Sequence, residues 1–254
     1  MATYLLMRIY GPLASWGEVA VGEMRHSSVQ PSRSALLGLL GAALGLERDD
    51  DDAQRALAAG YRFGIKLVAT GSPLRDYHTV QVGEPGRKQV FRSRRQSLVE
   101  GKVSTLLSTR EYRCDSVAVV AVEVAHDDAP YSLEQLAGAL RTPHYTPYLG
   151  RKSCPLAVPL MPQCIEADDL RAALDGVPLP SLMALLTSRP DASWPSPMDQ
   201  RAFALQAPRY FWEDGMTPGM EASFSTVRHD QPLSRRRWQF APRREHVSLG
   251  GGEP

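Results

Sequence analysis

The sequence has few cysteines and no long apolar run, and each shortage argues against a class of protein. Its 254 residues include three cysteines, and none of them forms a C-x-x-C pair, so neither a zinc site nor a dithiol redox site is predicted. The longest apolar run, residues 35–46, is about half of the ~20 residues that a membrane-spanning helix needs. Because the N-terminus also lacks a signal-peptide layout, we expect a cytoplasmic protein.

Signals for catalysis and for DNA regulation are missing as well. The six histidines do not occur at metal-ligand spacing, and there is no heptad, internal repeat or helix-turn-helix pattern. A nucleophile formed by Cys154 and His144 is conceivable, but no surrounding motif supports it. We therefore expect no catalytic residue, no metal and no cofactor.

Charge is nearly balanced over the chain but not along it. The net charge is +1, whereas residues 87–113 contain eight basic and two acidic side chains. Arginine can bind phosphate through two hydrogen bonds and can stack on bases, so a flexible basic arm with interleaved apolar residues suits a nucleic-acid backbone. A solvated loop with incidental charge is an equally consistent interpretation. The basic residues are Arg87, Lys88, Arg92, Arg94, Arg95, Lys102, Arg110 and Arg113.

Apolar patterning predicts four strands and two helices in the first two-thirds of the chain. The strands are residues 4–10, 61–67 (half-buried, by alternation), 117–124 (central) and 156–161 (at an edge, because of Pro159). The helices are residues 35–45, capped by Ser32 or Ser34, and 133–140, capped by Ser132. The first helix is rich in glycine, which predicts close packing on a sheet, and the acidic residues 49–52 predict a solvated turn.

This order is β-α-β, an insertion over residues 71–112, and β-α-β again, which is the split pattern of ferredoxin-like α+β folds. Connections this long are uncommon without a function. In the last third, the sequence predicts short helices near residues 168–174 and 181–186, short strands within 210–227 and a flexible tail at 250–252. It also contains arginine clusters at 235–237 and 243–244. We therefore expect a domain over residues 1–165 and a smaller irregular region over 166–254.

Five strings in a fixed order carry a family resemblance: residues 11–17 (GPLASWG), 31–41 (PSRSALLGLLG), 74–80 (LRDYHTV), 110–115 (REYRCD) and 145–156 (YTPYLGRKSCPL). Together they resemble the CasD family, the fifth-type Cas subunit of the type I-E CRISPR Cascade complex. The resemblance covers roughly residues 3–165.

The resemblance implies a ferredoxin-like, RNA-recognition-motif-like domain with a β-hairpin thumb at about residues 83–112. It further implies a non-catalytic subunit that binds and caps the 5′ handle of CRISPR RNA. Its implied partners are the Cascade backbone subunit and large subunit, with target DNA near the thumb as a further one. The alternative is a metal-independent endoribonuclease that processes CRISPR RNA, for which Tyr148, Lys152 and His144 are the candidates.

Several candidate residues have a structural as well as a functional interpretation. Trp16 either stacks on a base or fills the core edge, and Arg33 and Ser34 either bind an anion at a helix N-terminus or cap it. Tyr77 and His78 either contact RNA or make a structural hydrogen bond. The full set of candidate RNA-binding residues is Ser15, Trp16, Gly17, Arg25, Arg33, Ser34, Tyr77, His78, Arg87, Lys88, Arg92, Arg94, Arg95, Arg110, Arg113, Tyr145, Tyr148, Gly150, Arg151, Lys152, Ser153 and Cys154.

Overall fold

A computed structural model describes residues 1–20, 22–187, 193–203, 205 and 207–250. Residues 251 and 252 of the tail predicted to be flexible (250–252) lie outside the described residues. The strands are β1 (Ala2–Tyr10), β2 (Leu13–Ala14), β3 (Met24–Arg25), β4 (Tyr61–Ala69), β5 (Ser72–Glu84), β6 (Lys102–Cys114), β7 (Val117–Val124), β8 (Gln163–Ala167), β9 (Arg209–Glu213), β10 (Phe224–Ser234) and β11 (Gln239–Leu249). The helices are α1 (Arg33–Leu44), α2 (Asp51–Gly60), α3 (Arg94–Glu100), α4 (Leu133–Arg141), α5 (Leu170–Gly176), α6 (Leu182–Leu186) and α7 (Pro197–Phe203).

Within the described residues, the main sheet has seven strands in the order β10-β11-β9-β4-β7-β1-β8, and its paired neighbours are antiparallel. Strand β7 is apolar along most of its length, as a central strand must be when both faces are covered. Helices α1, α2 and α4 pack on one face through residues such as Leu40, Leu57 and Leu136. On the other face, Leu170 of α5 packs against Tyr4 and Leu6.

Most of the predicted elements are present, but the predictions for residues 49–52 and for β4 are wrong. The acidic run at residues 49–52 is not a solvated turn, because the Asp50 side chain accepts a hydrogen bond from Ala53 N (3.0 Å) and caps α2. Asp51 and Asp52 then lie in the first turn, where negative charge favours a helix. Strand β4 is buried on both faces rather than on one. A Cβ on Gly64 would lie 2.5 Å from Leu170 Cδ1 of the covering α5.

The edge strand predicted over residues 156–161 does not form. Prolines at 155, 159 and 162 remove backbone donors, and Met161 has a left-handed backbone (φ 52°). Isolated contacts remain, such as Arg8 N donating to Leu160 O (2.9 Å). The edge position beside β1 is taken by β8, which follows immediately.

The insertion forms a second, four-stranded sheet. Strands β5 and β6 pair without interruption from Ser72↔Cys114 to Glu84↔Lys102, and α3 lies between them in sequence. The short strands β2 and β3 add to β6 near the base of this hairpin. The insertion is therefore a hairpin attached to the main sheet, with its distal end at residues 85–101.

The last third joins the main sheet. Strand β9 pairs with β4, and β10 and β11, eleven residues each, extend the sheet beyond it. Strands β10 and β11 are longer than the short strands that were predicted, and their pairing contains two register shifts. The predicted boundary at residue 165 therefore does not separate two sheets. In the described part of the chain, no helix is long and apolar enough to cross a membrane.

Helix α1 packs on the sheet, as predicted, but its glycines lie on another side of the helix. A Cβ on Gly38 would lie 3.3 Å from the guanidinium nitrogens of Arg235, and one on Gly41 would lie 3.7 Å from Gln54 and Leu57 of α2. Leu36, Leu37 and Leu40 provide the sheet-facing side instead. The glycine-rich side of α1 is left open to a cleft.

Candidate nucleic-acid interface

A cleft of about 990 Å³ lies over the glycine-rich side of α1. It is bounded by the segment after β2, the turn at residues 145–150 and the turn between β10 and β11. Residues far apart in the sequence therefore share one surface. Seven of the predicted site residues line it: Ser15, Gly17, Arg25, Ser34, Tyr145, Tyr148 and Gly150.

The turn at residues 145–154 is fixed to the rest of the cleft by backbone contacts. Tyr145 N donates to Ala42 O (3.0 Å) at the end of α1, and Ser15 N donates to Leu149 O (3.0 Å). Gly150 has a left-handed backbone (φ 79°), and a Cβ there would lie 1.8 Å from Ser15 O. The absence of a side chain at Gly150 therefore lets the turn lie directly against the loop after β2.

The two tyrosines of this turn are available to a flat ligand. Tyr145 is 41% exposed and Tyr148 is 45% exposed. The Tyr145 hydroxyl donates to Glu47 Oε1 (2.8 Å), and this hydrogen bond raises the pKa of Tyr145. The bond fixes the ring without burying it. Exposed aromatic faces in a cleft with nearby cations are suited to stacking on bases.

Arg151 connects the same turn to the base of the hairpin. Its Nε donates to Ser15 Oγ (3.0 Å), and its guanidinium lies 5.5 Å from the centre of the Tyr112 ring. Lys152 and Ser153 are exposed beside it. The Lys152 ammonium and the Ser153 hydroxyl therefore remain on the surface.

Four predicted site residues, Ser15, Trp16, Arg33 and Cys154, are buried. Trp16 is 3% exposed and belongs to the apolar core, so it does not offer its face to a base. Cys154 is fully buried, and burial raises the pKa of its thiol, which argues against the Cys-His nucleophile. Ser15 is 2% exposed and is held by Arg151 and Glu111 O.

Arg33 is the fourth buried residue. Its guanidinium donates to the Glu213 carboxylate and to the backbone oxygens of Ala58 (2.5 Å) and Tyr61 (3.0 Å). The anion at the N-terminus of α1 is a side chain of the protein itself, because Arg33 N donates to Asp230 Oδ2 (2.8 Å). Arg33 therefore joins α1 to β9 and β4 and is not placed to bind a phosphate. Ser34 remains half-buried on the cleft wall.

The hairpin carries the other predicted cations away from the cleft. Arg87, Lys88, Arg92 and Arg95 are exposed at its distal end, where Arg94 Nη2 also donates to Gln81 O (3.1 Å). These residues do not line the cleft.

At the base of the hairpin, Arg110 pairs with Arg25 of β3 in register, and Arg113 pairs with Ala14 of β2. Arg25 lines the cleft, so the base of the hairpin borders it. Tyr77 is 64% exposed on β5, whereas His78 contacts the Asp76 carboxylate. The predicted residues thus form two connected groups.

The cleft residues that were not predicted include two arginines and two aromatic residues: Arg48, Arg235, Trp238 and Phe240. The sequence does show an arginine cluster at 235–237 with aromatic neighbours, but periodicity gives no reason to place it opposite the tyrosines. Only the pairing of β10 with β11 returns this turn to α1 and α2.

The described residues contain no group of three or more His, Cys, Asp or Glu side chains arranged to hold a metal ion. Of the residues suggested for ribonuclease chemistry, His144 packs against Gly45 and makes an edge-to-face contact with Tyr145 (4.6 Å between ring centres). Tyr148 and Lys152 are exposed.

Comparison with known proteins assigns the chain to a family. The family model described as CRISPR-associated protein (Cas_Cas5) matches residues 4–245. The CRISPR system Cascade subunit CasD of Escherichia coli (strain K12) is 36% identical over 184 residues, which is 68% of this chain and 76% of the relative.

Solved structures show the same fold. A chain of a CRISPR RNA-guided surveillance complex superposes with a TM-score of 0.64 at 24% identity and covers 97% of this chain and 90% of that one. A Cas protein known from a crystal structure gives a TM-score of 0.58 at 23% identity, with 97% and 94% coverage. The chain belongs to the CRISPR-associated Cas5 protein family.

Proposed function

We propose that this chain is a non-catalytic, cytoplasmic subunit of a Cascade surveillance complex that binds and caps the 5′ handle of CRISPR RNA. The observation that carries the proposal is the cleft, where the exposed rings of Tyr145 and Tyr148 face the same space as Arg25. Aromatic faces beside cations suit single-stranded RNA, because bases stack and phosphates are neutralised. The relation to a protein named as a Cascade subunit supports the assignment.

The strand order supports a ferredoxin-like core within the larger sheet. Strands β4, β7, β1 and β8 are adjacent in this order, and two β-α-β connections through α1 and α4 link them. This is the neighbour order expected of a split βαβ pattern. We assign the thumb to the hairpin of β5 and β6 with α3 at its distal end.

The RNA-binding residues that we retain are those with exposed or cleft-facing atoms. In the cleft and its turn they are Gly17, Arg25, Ser34, Tyr145, Tyr148, Gly150, Arg151, Lys152 and Ser153. On the hairpin they are Tyr77, His78, Arg87, Lys88, Arg92, Arg94, Arg95, Arg110 and Arg113. The exposed cations at the distal end suit a second stretch of nucleic acid, either RNA beyond the handle or target DNA.

The proposed partners are the backbone subunit and the large subunit of Cascade. The chain exposes apolar side chains on the hairpin, including Leu106 (57%) and Val99 (76%). Exposed apolar residues interleaved with cations suit a surface that contacts both protein and nucleic acid.

The proposal is tested by RNA binding and RNA cleavage in one experiment. Labelled RNA carrying the CRISPR repeat is titrated with the wild-type chain and with Tyr148→Ala, using Phe224→Ala as a control with an exposed aromatic ring outside the cleft. Since stacking contributes about 1–3 kcal/mol per base, Tyr148→Ala should weaken binding at least about fivefold, and the control should not.

Two outcomes would contradict the proposal. Binding that is equal for repeat RNA and a scrambled RNA of the same length would remove the handle as the ligand. Site-specific, metal-independent cleavage that is lost in Lys152→Ala would establish the endoribonuclease instead.

A further inference from the structure

The turn between β10 and β11 displays a tryptophan where the cleft ends. Trp238 is 59% exposed, although Trp16 and Trp212 are 3% and 4% exposed. Its backbone is left-handed (φ 56°), which is an unfavourable conformation for a bulky residue. Such strain persists where the surroundings impose it, and it clusters at ligand sites.

Contacts on both sides of the turn hold this conformation. The Ser234 hydroxyl lies 3.2 Å from Asp51 Oδ2 of α2 and accepts a hydrogen bond from Arg237 N (3.1 Å). Arg235 Nη2 donates to Ser34 O of α1 (2.6 Å), and its guanidinium lies over Gly38, where any side chain would crowd it. The turn is therefore anchored to two helices while its indole stays in solvent.

The neighbours of Trp238 are those of a nucleotide site. The Arg48 guanidinium lies 4.7 Å from the centre of the indole ring, and Phe240 meets the indole edge to face at 5.6 Å. The indole face thus already accepts a flat cation from the exposed Arg48 side chain. Arg235 Nε has no hydrogen-bond partner among the described residues.

We propose that Trp238 is a base-stacking residue and that, with Arg48 and Arg235, it forms a nucleotide subsite at this end of the cleft. The base stacks on the indole, and the two arginines bind the adjoining phosphate. Tyr145 and Tyr148 line the same cleft, so one strand can contact aromatic residues at both places. This inference rests on the proposed RNA-binding function and adds to it a subsite from the last third of the chain.

The test combines affinity with tryptophan fluorescence. The probe is a single-stranded oligoadenylate RNA of about eight nucleotides, within the range that such sites bind. Trp238→Asn removes the indole and keeps a residue that tolerates a left-handed backbone, while Trp238→Phe keeps an aromatic face. Phe224→Ala serves as the exposed aromatic control.

We expect RNA to quench the emission of the wild-type chain and to protect it from iodide, because Trp238 is far more exposed than Trp16 or Trp212. Trp238→Asn should lose this response and bind at least about fivefold more weakly, whereas Trp238→Phe should retain most of the affinity. Phe224→Ala should behave as wild type.

If Trp238→Asn binds RNA as tightly as the wild type while Tyr148→Ala binds it more weakly, the subsite is overturned. The proposed RNA-binding function is then still supported. A lower melting temperature in Trp238→Asn without any RNA-induced quenching in the wild type would make the tryptophan structural and also overturn it. Failure of the wild-type chain to bind any RNA would overturn both proposals.

Discussion

The arginines of this chain serve two purposes, and burial distinguishes them. Arg33, Arg228 and Arg243 lie among Glu213, Asp230 and Glu245, so three cations and three carboxylates neutralise one another beneath β9–β11. Breaking one such pair leaves a buried charge without compensation, which costs about 3–5 kcal/mol. Arg25 and Arg48 at the cleft and Arg92 and Arg95 on the hairpin are exposed instead and are available to a ligand.

Asp230 should make stability depend on pH in the acid range. Burial alone would raise its pKa, but hydrogen bonds from Arg243 and from Arg33 N hold the pKa below its ordinary value of 3.8. A carboxylate with a lowered folded-state pKa stabilises the protein fully above that ordinary value. The stabilisation is lost as pH falls through the folded-state value.

Urea unfolding near pH 7 and near pH 3 should therefore show a larger stability difference between wild type and Asp230→Asn at the higher pH. Asp128→Asn, in an exposed turn after β7, is the control and should change little. The same difference at both pH values for Asp230→Asn would contradict the assignment.

Replacing each of two glycines with alanine should change the free energy of unfolding in opposite directions. In Gly150→Ala the new Cβ would meet Ser15 O at 1.8 Å at a left-handed backbone position, so we expect a loss of about 1–3 kcal/mol and weaker RNA binding. In Gly138→Ala of α4 the Cβ meets nothing within 4 Å, so we expect a gain of about 0.5–1 kcal/mol. Thermal or urea unfolding measures both, and equal effects would refute the close approach at Gly150.

Among the secondary-structure elements, the hairpin concentrates the positive charge. Its strands pair over thirteen positions, and α3 packs so closely at the distal end that a Cβ on Gly83 would meet Ser97 O at 2.0 Å. The segment is thus a defined element that presents Arg92 and Arg95 to solvent. Arg94 is different, because it also donates to Gln81 O.

Charge reversal of the exposed arginines should weaken nucleic-acid binding and reduce its salt dependence. For each phosphate that is no longer neutralised, the slope of log K against log salt should fall by about 0.7 for a single strand. Arg92→Glu and Arg95→Glu are cleaner tests than Arg94→Glu, because the hydrogen bond from Arg94 to Gln81 stabilises the hairpin. Arg201→Glu on α7, exposed and outside both groups, is the matched control. An affinity and a slope equal to those of the control would remove the hairpin from the interface.

At the scale of the whole molecule, one sheet joins the first two-thirds of the chain to the last. Tyr210 and Trp212 of β9 and Leu170 of α5 pack with Tyr4 and Leu6 of β1 in a single apolar cluster. Removing residues 166–254 would expose these side chains and leave the edge of β4 unpaired.

A fragment of residues 1–165 should therefore lack cooperative unfolding and be cleaved rapidly by protease, while the full chain resists. Circular dichroism with thermal melting measures this directly. A fragment that melts in a sharp transition would support the predicted boundary at residue 165.

The sequence by itself determined the local elements and the family. The uninterrupted apolar run of β7, the Ser132 cap of α4 and the ordered strings from residue 11 to 156 required nothing beyond short-range patterns. Tyr145, Tyr148 and Lys152, which the sequence offers as candidate RNA-binding residues, are exposed on a turn that contains proline and glycine, as such turns usually are.

Only the tertiary structure decided which side chains face solvent and which distant segments meet. The sequence alone does not distinguish Arg33 from Arg95. In the folded protein, Arg33 is buried and paired with Glu213, 180 residues further along the chain, whereas Arg95 is exposed. Trp16 and Trp238 are likewise alike in sequence, and one fills the core while the other borders the cleft. Burial and long-range pairing depend on contacts between residues far apart in the chain. Local periodicity does not predict such contacts.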